Sequence, residues 1–326
     1  TTSRDLIDFS GAGNSIILNL SNSTSINYKD ETTLTLEAIT SVGYGKNKIY
    51  NVEDALGGSA NDTLIGNNSK NILDGGAGDD ILFGFGGIGN ILVGGTGNDT
   101  ILGLLGGDII YGGSVTYTVA RDGIATSTVD GSDWVDYSYI ADTRAVNIDL
   151  NQNKAEQIGT TSNADSLIYI QNAKGTKNND ILKGDDDFNI TNSLLGYKGD
   201  DSFIVSKGSD YIDGGDGFNT MDYSSVDLGN GGNRVIVDLG LSKALDNGYK
   251  NAGNVVEDTL LNIQKVLGTS GDDILYGNSY GNVFVGGAGN DTIDGREGDD
   301  TIFGTSGNNT LIGGSGKDTI YGGTGN

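Results

Sequence analysis

The sequence predicts an all-β fold, a parallel β-solenoid, on three observations. Glycine is in excess, at 56 of 326 residues, where an ordinary share is roughly 7%. Glycine and aspartate recur with a nine-residue period. One fixed position of each period stays apolar. Reading from Gly268, the lines are GTSGDDILY, GNSYGNVFV, GGAGNDTID, GREGDDTIF, GTSGNNTLI and GGSGKDTIY, six full periods without a slip. Six residues rich in Gly and Asp make a tight turn that needs positive φ, and the next three make a short strand whose middle side chain points inward. Two such units complete a coil of 18 residues, and successive coils stack about 4.8 Å apart as parallel strands. The inward position then forms an apolar ladder: Leu64, Leu73, Leu82, Leu92, Ile101 and Ile110, and later Leu275, Phe284, Ile293, Ile302, Leu311 and Ile320.

Taken in order, the chain reads as three tandem modules, each a strand-rich segment feeding a nonapeptide run. Module 1 covers residues 1–113, with the strand-rich segment at 1–56 and repeats at 57–113. Its lines include GGSANDTLI from Gly57, GGAGDDILF from Gly75 and GGTGNDTIL from Gly94, with one extra residue between Gly84 and Val93. An insert at 114–130 interrupts one nonapeptide, since GGS from Gly112 is completed by GSDWVD from Gly131, and the coil is expected to continue across it. Its β-branched alternation around Asp122-Gly123 reads as a hairpin with a tight primed turn, and Trp134 is expected to pack beneath it. Module 2 covers 131–215, with repeats at 175–215, and module 3 covers 216–326, with repeats at 268–326. Asp8-Phe9-Ser10 returns as Asp136-Tyr137-Ser138 and Asp222-Tyr223-Ser224, and each is followed by an alternating strand: SIILNL from Ser15, AVNIDL from Ala145, RVIVDL from Arg234. Both ends fall inside a repeat unit, which reads as a segment of a longer protein.

Composition removes whole classes of chemistry. With no His, Cys or Pro, there is no His-based triad or zinc site and no thiolate or disulfide. The net charge of -25 argues against nucleic acid or an anionic membrane surface as a partner, and makes a cation the natural one. Of the 44 acids, 38 are Asp, the carboxylate that fits turns and reaches hard cations beside backbone carbonyls. No apolar run approaches the roughly 20 residues of a membrane helix, so membrane insertion is not expected.

The lines fit G-G-x-G-x-D-x-U-x, and here the chain resembles the RTX (repeats-in-toxin) family of bacterial exoproteins. The matching lines cover somewhat under half of the sequence, with spacing and chemistry repeating together. The resemblance implies a parallel β-roll with several calcium ions held between turns by the sixth-position Asp and backbone carbonyls. By position it assigns that role to Asp62, Asp80, Asp99 and Asp108, to Asp180, Asp201 and Asp210, and to Asp273, Asp291, Asp300 and Asp318. Asn71, Asn90, Asn219, Asn282 and Asn309 put a neutral amide at the same position. The resemblance also implies type I secretion, an extracellular or cell-surface location and folding triggered by external calcium.

Three function classes follow. The first is a structural calcium-binding solenoid of a secreted surface-layer protein, adhesin or toxin, which the acidic, Gly-rich composition favours. The second is an adhesive module for glycan, ice, cell-surface polysaccharide or another copy of itself, for which Thr292, Thr301, Thr310 and Thr319 beside Phe303 and Tyr321 are the best feature. The third is an enzyme, and no carboxylate pair stands outside the repeat pattern to serve as acid and base, so none is expected.

Overall fold

The computed structural model describes residues 4–21, 25–27, 33–35, 40–41, 52–103, 106–117, 124–128, 131–140, 143–159, 163–225, 234–246, 250–251 and 254–325. Among them every regular element is a strand, and no helix is long and apolar enough to cross a membrane. The fold is an all-β solenoid, as the nonapeptide period predicts. Packing divides the chain into two compact units, Thr1–Lys174 and Gly175–Asn326, where the sequence reads as three modules. The module edges at 113 and 215 do not separate packing units, because strands pair across them. Thr100–Leu102 pairs directly with Trp134–Asp136, and Tyr211–Asp213 with Asp258–Leu261.

In the first unit one sheet runs parallel through Leu6–Asp8, Asp54–Leu56, Ile72–Ala77, Ile91–Thr96, Ile109–Tyr111 and Asp165–Ile168. The other runs parallel through Ile16–Asn19, Thr63–Ile65, Ile81–Phe83, Thr100–Leu102, Trp134–Asp136 and Asn172–Lys174. The apolar ladder sets the register. Leu64 stands opposite Leu82, Leu82 opposite Ile101 and Ile101 opposite Val135, all fully buried. The extra residue is absorbed in the turn after Phe83, where Phe85 takes φ 60° and its ring meets Phe83 edge-on at 5.7 Å.

The second unit repeats the plan. One sheet is parallel through Ile181–Lys183, Ser202–Ile204, Thr220–Asp222, Lys265–Leu267, Val283–Val285, Thr301–Phe303 and Thr319–Tyr321. The other carries Ser193–Leu195, Tyr211–Asp213 and Asp258–Leu261, and further on Ile236–Asp238, Ile274–Tyr276, Thr292–Asp294 and Thr310–Ile312. Leu275, Phe284, Ile293 and Ile302 are fully buried, whereas Ile320, on the last coil, is 44% exposed.

The parallel solenoid has antiparallel interruptions that the nonapeptide period does not describe. Val146–Asp149 turns back on Lys154–Gln157, which turns back on Asp165–Ile168, and Ile236–Asp238, Lys243–Asp246 and Asp258–Leu261 do the same. The connections are too short for a parallel crossover, so the chain must reverse. The alternation in these segments still faces the core: Val146, Ile148, Val235 and Val237 are fully buried. Each Asp-x-Ser motif forms the same local turn, with Asp8, Asp136 and Asp222 accepting the backbone N–H of Ser10, Ser138 and Ser224 at 2.8, 2.7 and 2.8 Å.

The insert forms an antiparallel hairpin, Val115–Tyr117 with Ile124–Ser127, while its tip at Asp122-Gly123 lies outside the described residues. Val115 packs with Tyr111 against Ile72, Ile91 and Val93 on the outer face of one sheet. Trp134 stands half-buried in the opposite sheet.

Candidate calcium-binding turns

The sixth position of each nonapeptide closes a turn and starts a strand, so its side chain lies beneath the turn, out of water. Asp62, Asp80, Asp99, Asp108, Asp180, Asp201, Asp210, Asp273, Asp291 and Asp300 are at most 3% exposed, and Asp318, on the last coil, is half-buried. A buried carboxylate needs partners. The first is the neighbouring coil, from which Oδ1 accepts a backbone N–H; Ile16 donates to Asp62 at 2.9 Å. Asp62 donates to Asp80, Asp80 to Asp99, and Asp99 to Asp133 at 2.6, 2.8 and 2.8 Å. Asn90 donates to Asp108 at 2.7 Å, and Asp180 to Asp201 and Asn192 to Asp210 at 2.8 and 2.9 Å. Val235 donates to Asp273 at 2.9 Å and Asp273 to Asp291 at 3.0 Å. Asn282 donates to Asp300 and Asp300 to Asp318 at 2.7 and 3.1 Å. An amide oxygen serves equally, since Asn309 accepts from Asp291 at 2.8 Å.

The second oxygen divides the turns into two classes. In one, the N–H of the second residue points inward and fills it: Gly58 donates to Asp62 Oδ2 at 2.6 Å, Thr176 to Asp180, and Thr269 to Asp273 at 2.6 Å. In the other, Oδ2 is buried and accepts no hydrogen bond, as at Asp80, Asp201, Asp291 and Asp300. The second residue there has positive φ, at Gly76 (100°), Tyr197 (76°), Gly287 (103°) and Arg296 (70°). Its N–H is spent elsewhere, Arg296 for example donating to Asp294 at 3.0 Å. Asp108 Oδ2 is open in the same way, and Asp210 Oδ2 is filled instead by the Ser206 hydroxyl at 2.8 Å.

An asparagine turn shows what an open oxygen faces. A Cβ built on Gly214 would lie 2.3 Å from Asn219 Nδ2 and 2.4 Å from the Asn262 carbonyl, and those two groups bond at 3.0 Å. In the equivalent cradle at Gly75, the same point is 2.2 Å from Asp80 Oδ2 and 2.5 Å from the Gly94 carbonyl. Gly196 repeats this with Asp201 Oδ2 and the Gly214 carbonyl, at 2.2 and 2.6 Å. Two acceptors converge with no donor between them. That arrangement fits a hard, oxygen-seeking cation, and it leaves no room for any side chain on the first glycine.

Electrostatics agree. Burial, with neighbouring carboxylates second to it, pushes the Asp80 carboxyl up to about 8. Burial likewise takes Asp201 to about 7 and Asp108, Asp273 and Asp291 to about 6, and it raises Asp62 and Asp300. Desolvation penalises the charged form, and a bound cation would restore it.

No three acidic side chains converge as a metal-holding group among the described residues. The columns explain this, since each turn presents one carboxylate and its remaining oxygens come from backbone. Further parts of the columns lie outside the eleven assigned aspartates. Asp133 extends one column across the insert. Gln171 and Gln264, in the recurring Ile-Gln segments, accept from Asp133 and Asn219 at 2.8 and 2.7 Å. Asp165 accepts from Asp108 at 2.9 Å.

The family model of the RTX calcium-binding nonapeptide repeat (4 copies) matches residues 56–88, 85–118, 188–221, 267–302 and 294–326. Of the eleven sixth-position aspartates the sequence assigns to calcium, Asp180 alone lies outside those segments. No curated protein matches the chain.

Proposed function

On the premise that this chain carries an RTX calcium-binding repeat region, as the matched segments show, we propose that it is a structural solenoid of a secreted or cell-surface protein. In this reading extracellular calcium folds and stiffens it. The observation that carries the reading is the pairing of a buried, open carboxylate oxygen with a backbone carbonyl at Asp80, Asp201, Asp291 and Asp300. Calcium, when bound, supplies divalent positive charge among oxygen donors. The chain's part is to hold those donors in register: the ladder fixes the coil spacing, and the inter-coil Oδ1 bonds fix the carboxylates. With a net charge of -25, the free chain resists compaction, so binding energy becomes folding energy.

A non-enzymatic role fits, because the sixth-position carboxylates are tied to backbone N–H groups of the neighbouring coil. Thr292 and Thr310 lie on one sheet and Thr301 and Thr319 on the other. The four threonines therefore share no face, which supports the structural reading over a flat glycan- or ice-binding surface. Surface-layer assembly belongs to the same proposal and separates from it by particle size. Circular dichroism with light scattering, through a calcium titration from a chelated start, tests both. Cooperative gain of β-signal near millimolar calcium, the range of roughly 0.1–1 mM typical of extracellular modules, is expected. Growth into large ordered particles identifies lattice assembly, and full β-signal in chelator overturns calcium-dependent folding.

A further inference from the structure

The two turn classes are not scattered along the chain. The inward-pointing N–H occurs in the first coil of each nonapeptide run, on both sides of the coil. In the first run Gly58 donates to Asp62 and Asn67 to Asn71, at 2.6 and 2.8 Å. In the second, Thr176 donates to Asp180, and Asp185 to Asn192 at 2.8 Å. In the third, Thr269 donates to Asp273 and Asn278 to Asn282, at 2.6 and 3.0 Å. Thr176 and Thr269 add their hydroxyls to the same carboxylates, at 3.0 and 2.8 Å. Each first coil pairs one Asp with one Asn.

We propose that the first coil of each run is closed by the protein's own donors and takes no calcium, so that Asp62, Asp180 and Asp273 are capping residues. Calcium is then confined to later turns, where the second residue has positive φ. The inference rests on the calcium reading above and narrows it. An N–H aimed at Oδ2 places its positive end where the cation would sit, and the turn gains its closing partner without one. In both classes the oxygen lies beside the first-residue carbonyl of the next coil, but in the positive-φ turns that N–H points away, and Oδ2 of Asp80, Asp201, Asp291 and Asp300 accepts no hydrogen bond. Each run would thus begin on a coil that stands in chelator, and calcium-dependent coils would add to it one after another.

The test compares Asp→Asn variants of the full chain, because Asn309 shows that an amide keeps the inter-coil bond. Bound calcium per chain is counted by equilibrium dialysis and checked by native mass spectrometry, for D273N and D180N against D291N and D201N. The expected result is an unchanged ion count and a titration midpoint within about twofold for D273N and D180N. D291N and D201N should each lose at least one ion, or shift the midpoint by about tenfold, a loss of roughly 1.4 kcal/mol. Loss of calcium from D273N as large as from D291N overturns the inference and leaves calcium binding standing. A wild-type chain that binds no calcium overturns both. Thr269→Val, which removes a capping hydroxyl, should lower the melting temperature equally in chelator and in calcium, and a loss seen only in calcium would overturn the capping role.

Discussion

Asp291 reaches across one coil to accept the backbone N–H of Asp273 at 3.0 Å, while its other oxygen is buried and accepts nothing. One side chain therefore does two separable jobs. Oδ1 ties the coils together, which any acceptor of that shape can do, and Oδ2 offers charge, which only a carboxylate can.

Substitution should separate the two. Asp291→Asn keeps the inter-coil acceptor and removes a buried charge, so in chelator its melting temperature should equal or exceed that of the wild type. In calcium it should gain less than the wild type does. Asp291→Ala strands the Asp273 N–H and should cost about 1–3 kcal/mol in both conditions. Thermal melts with and without calcium check this, and an Asn variant as damaged as the Ala variant in chelator would contradict the division of labour.

The raised carboxyl values give a pH dependence of definite sign. In the calcium-free folded state Asp80 stands at about 8, Asp201 at about 7, and Asp108 and Asp291 at about 6, against an unfolded value of about 3.9. The folded chain therefore holds protons more tightly than the unfolded one. That contribution is complete below about pH 4 and is lost as pH rises through 6 to 8. In chelator, β-signal and melting temperature should fall from pH 5 to pH 8. The increment that calcium adds should grow over the same interval, because calcium and protons compete for one oxygen. Stability in chelator that rises with pH would reverse the argument.

Glycine is required where a cradle closes, and position alone does not say where. A Cβ on Gly75 would meet the Gly94 carbonyl, part of the backbone, at 2.5 Å, whereas one on Gly11 or Gly13 would meet nothing within 4 Å. Gly75→Ala should cost about 2–4 kcal/mol and loosen calcium binding. Gly11→Ala and Gly13→Ala should fall within about 0.5 kcal/mol of the wild type. Denaturant titration in saturating calcium measures all three.

Much of this was legible in residues. The ladder, the 18-residue coil and the inward Asp all follow from a period in which one position is always apolar and another nearly always Asp or Asn. The class of each turn was not. Gly268-Thr269-Ser270-Gly271 and Gly304-Thr305-Ser306-Gly307 have the same residue types, yet Thr269 donates its N–H into Asp273 and Thr305 takes φ 66°. What differs is the sixth residue, Asp273 against Asn309, and the preceding coil, since Gly268 opens a run after a strand-rich segment and Gly304 continues one. The first four residues of the turn therefore do not decide its class. The antiparallel returns escaped for a related reason: their alternation marks a buried face without giving strand direction.

The Asp-Tyr-Ser motifs allow the most discriminating comparison, because two equivalent tyrosines are held differently. Tyr137 and Tyr223 are both fully buried. The Tyr137 hydroxyl donates to Asp165 Oδ2 at 2.8 Å, while Asp165 Oδ1 accepts the N–H groups of Gly106, Gly107 and Asp108 at 3.1, 3.0 and 2.9 Å. The phenol thus supplies the donor that an open turn lacks, at a coil where the chain leaves the nonapeptide pattern. The Tyr223 hydroxyl has no hydrogen-bond partner, so it carries a desolvation cost without return. Tyr137→Phe should therefore destabilise by about 1–3 kcal/mol, and Tyr223→Phe should be neutral or stabilising. The Tyr137→Phe loss should persist in saturating calcium, since the hydroxyl closes a carboxylate that the protein itself satisfies. If calcium erased the loss, the cation would be taking the place of the hydroxyl at Asp165, and that carboxylate would belong with the open turns.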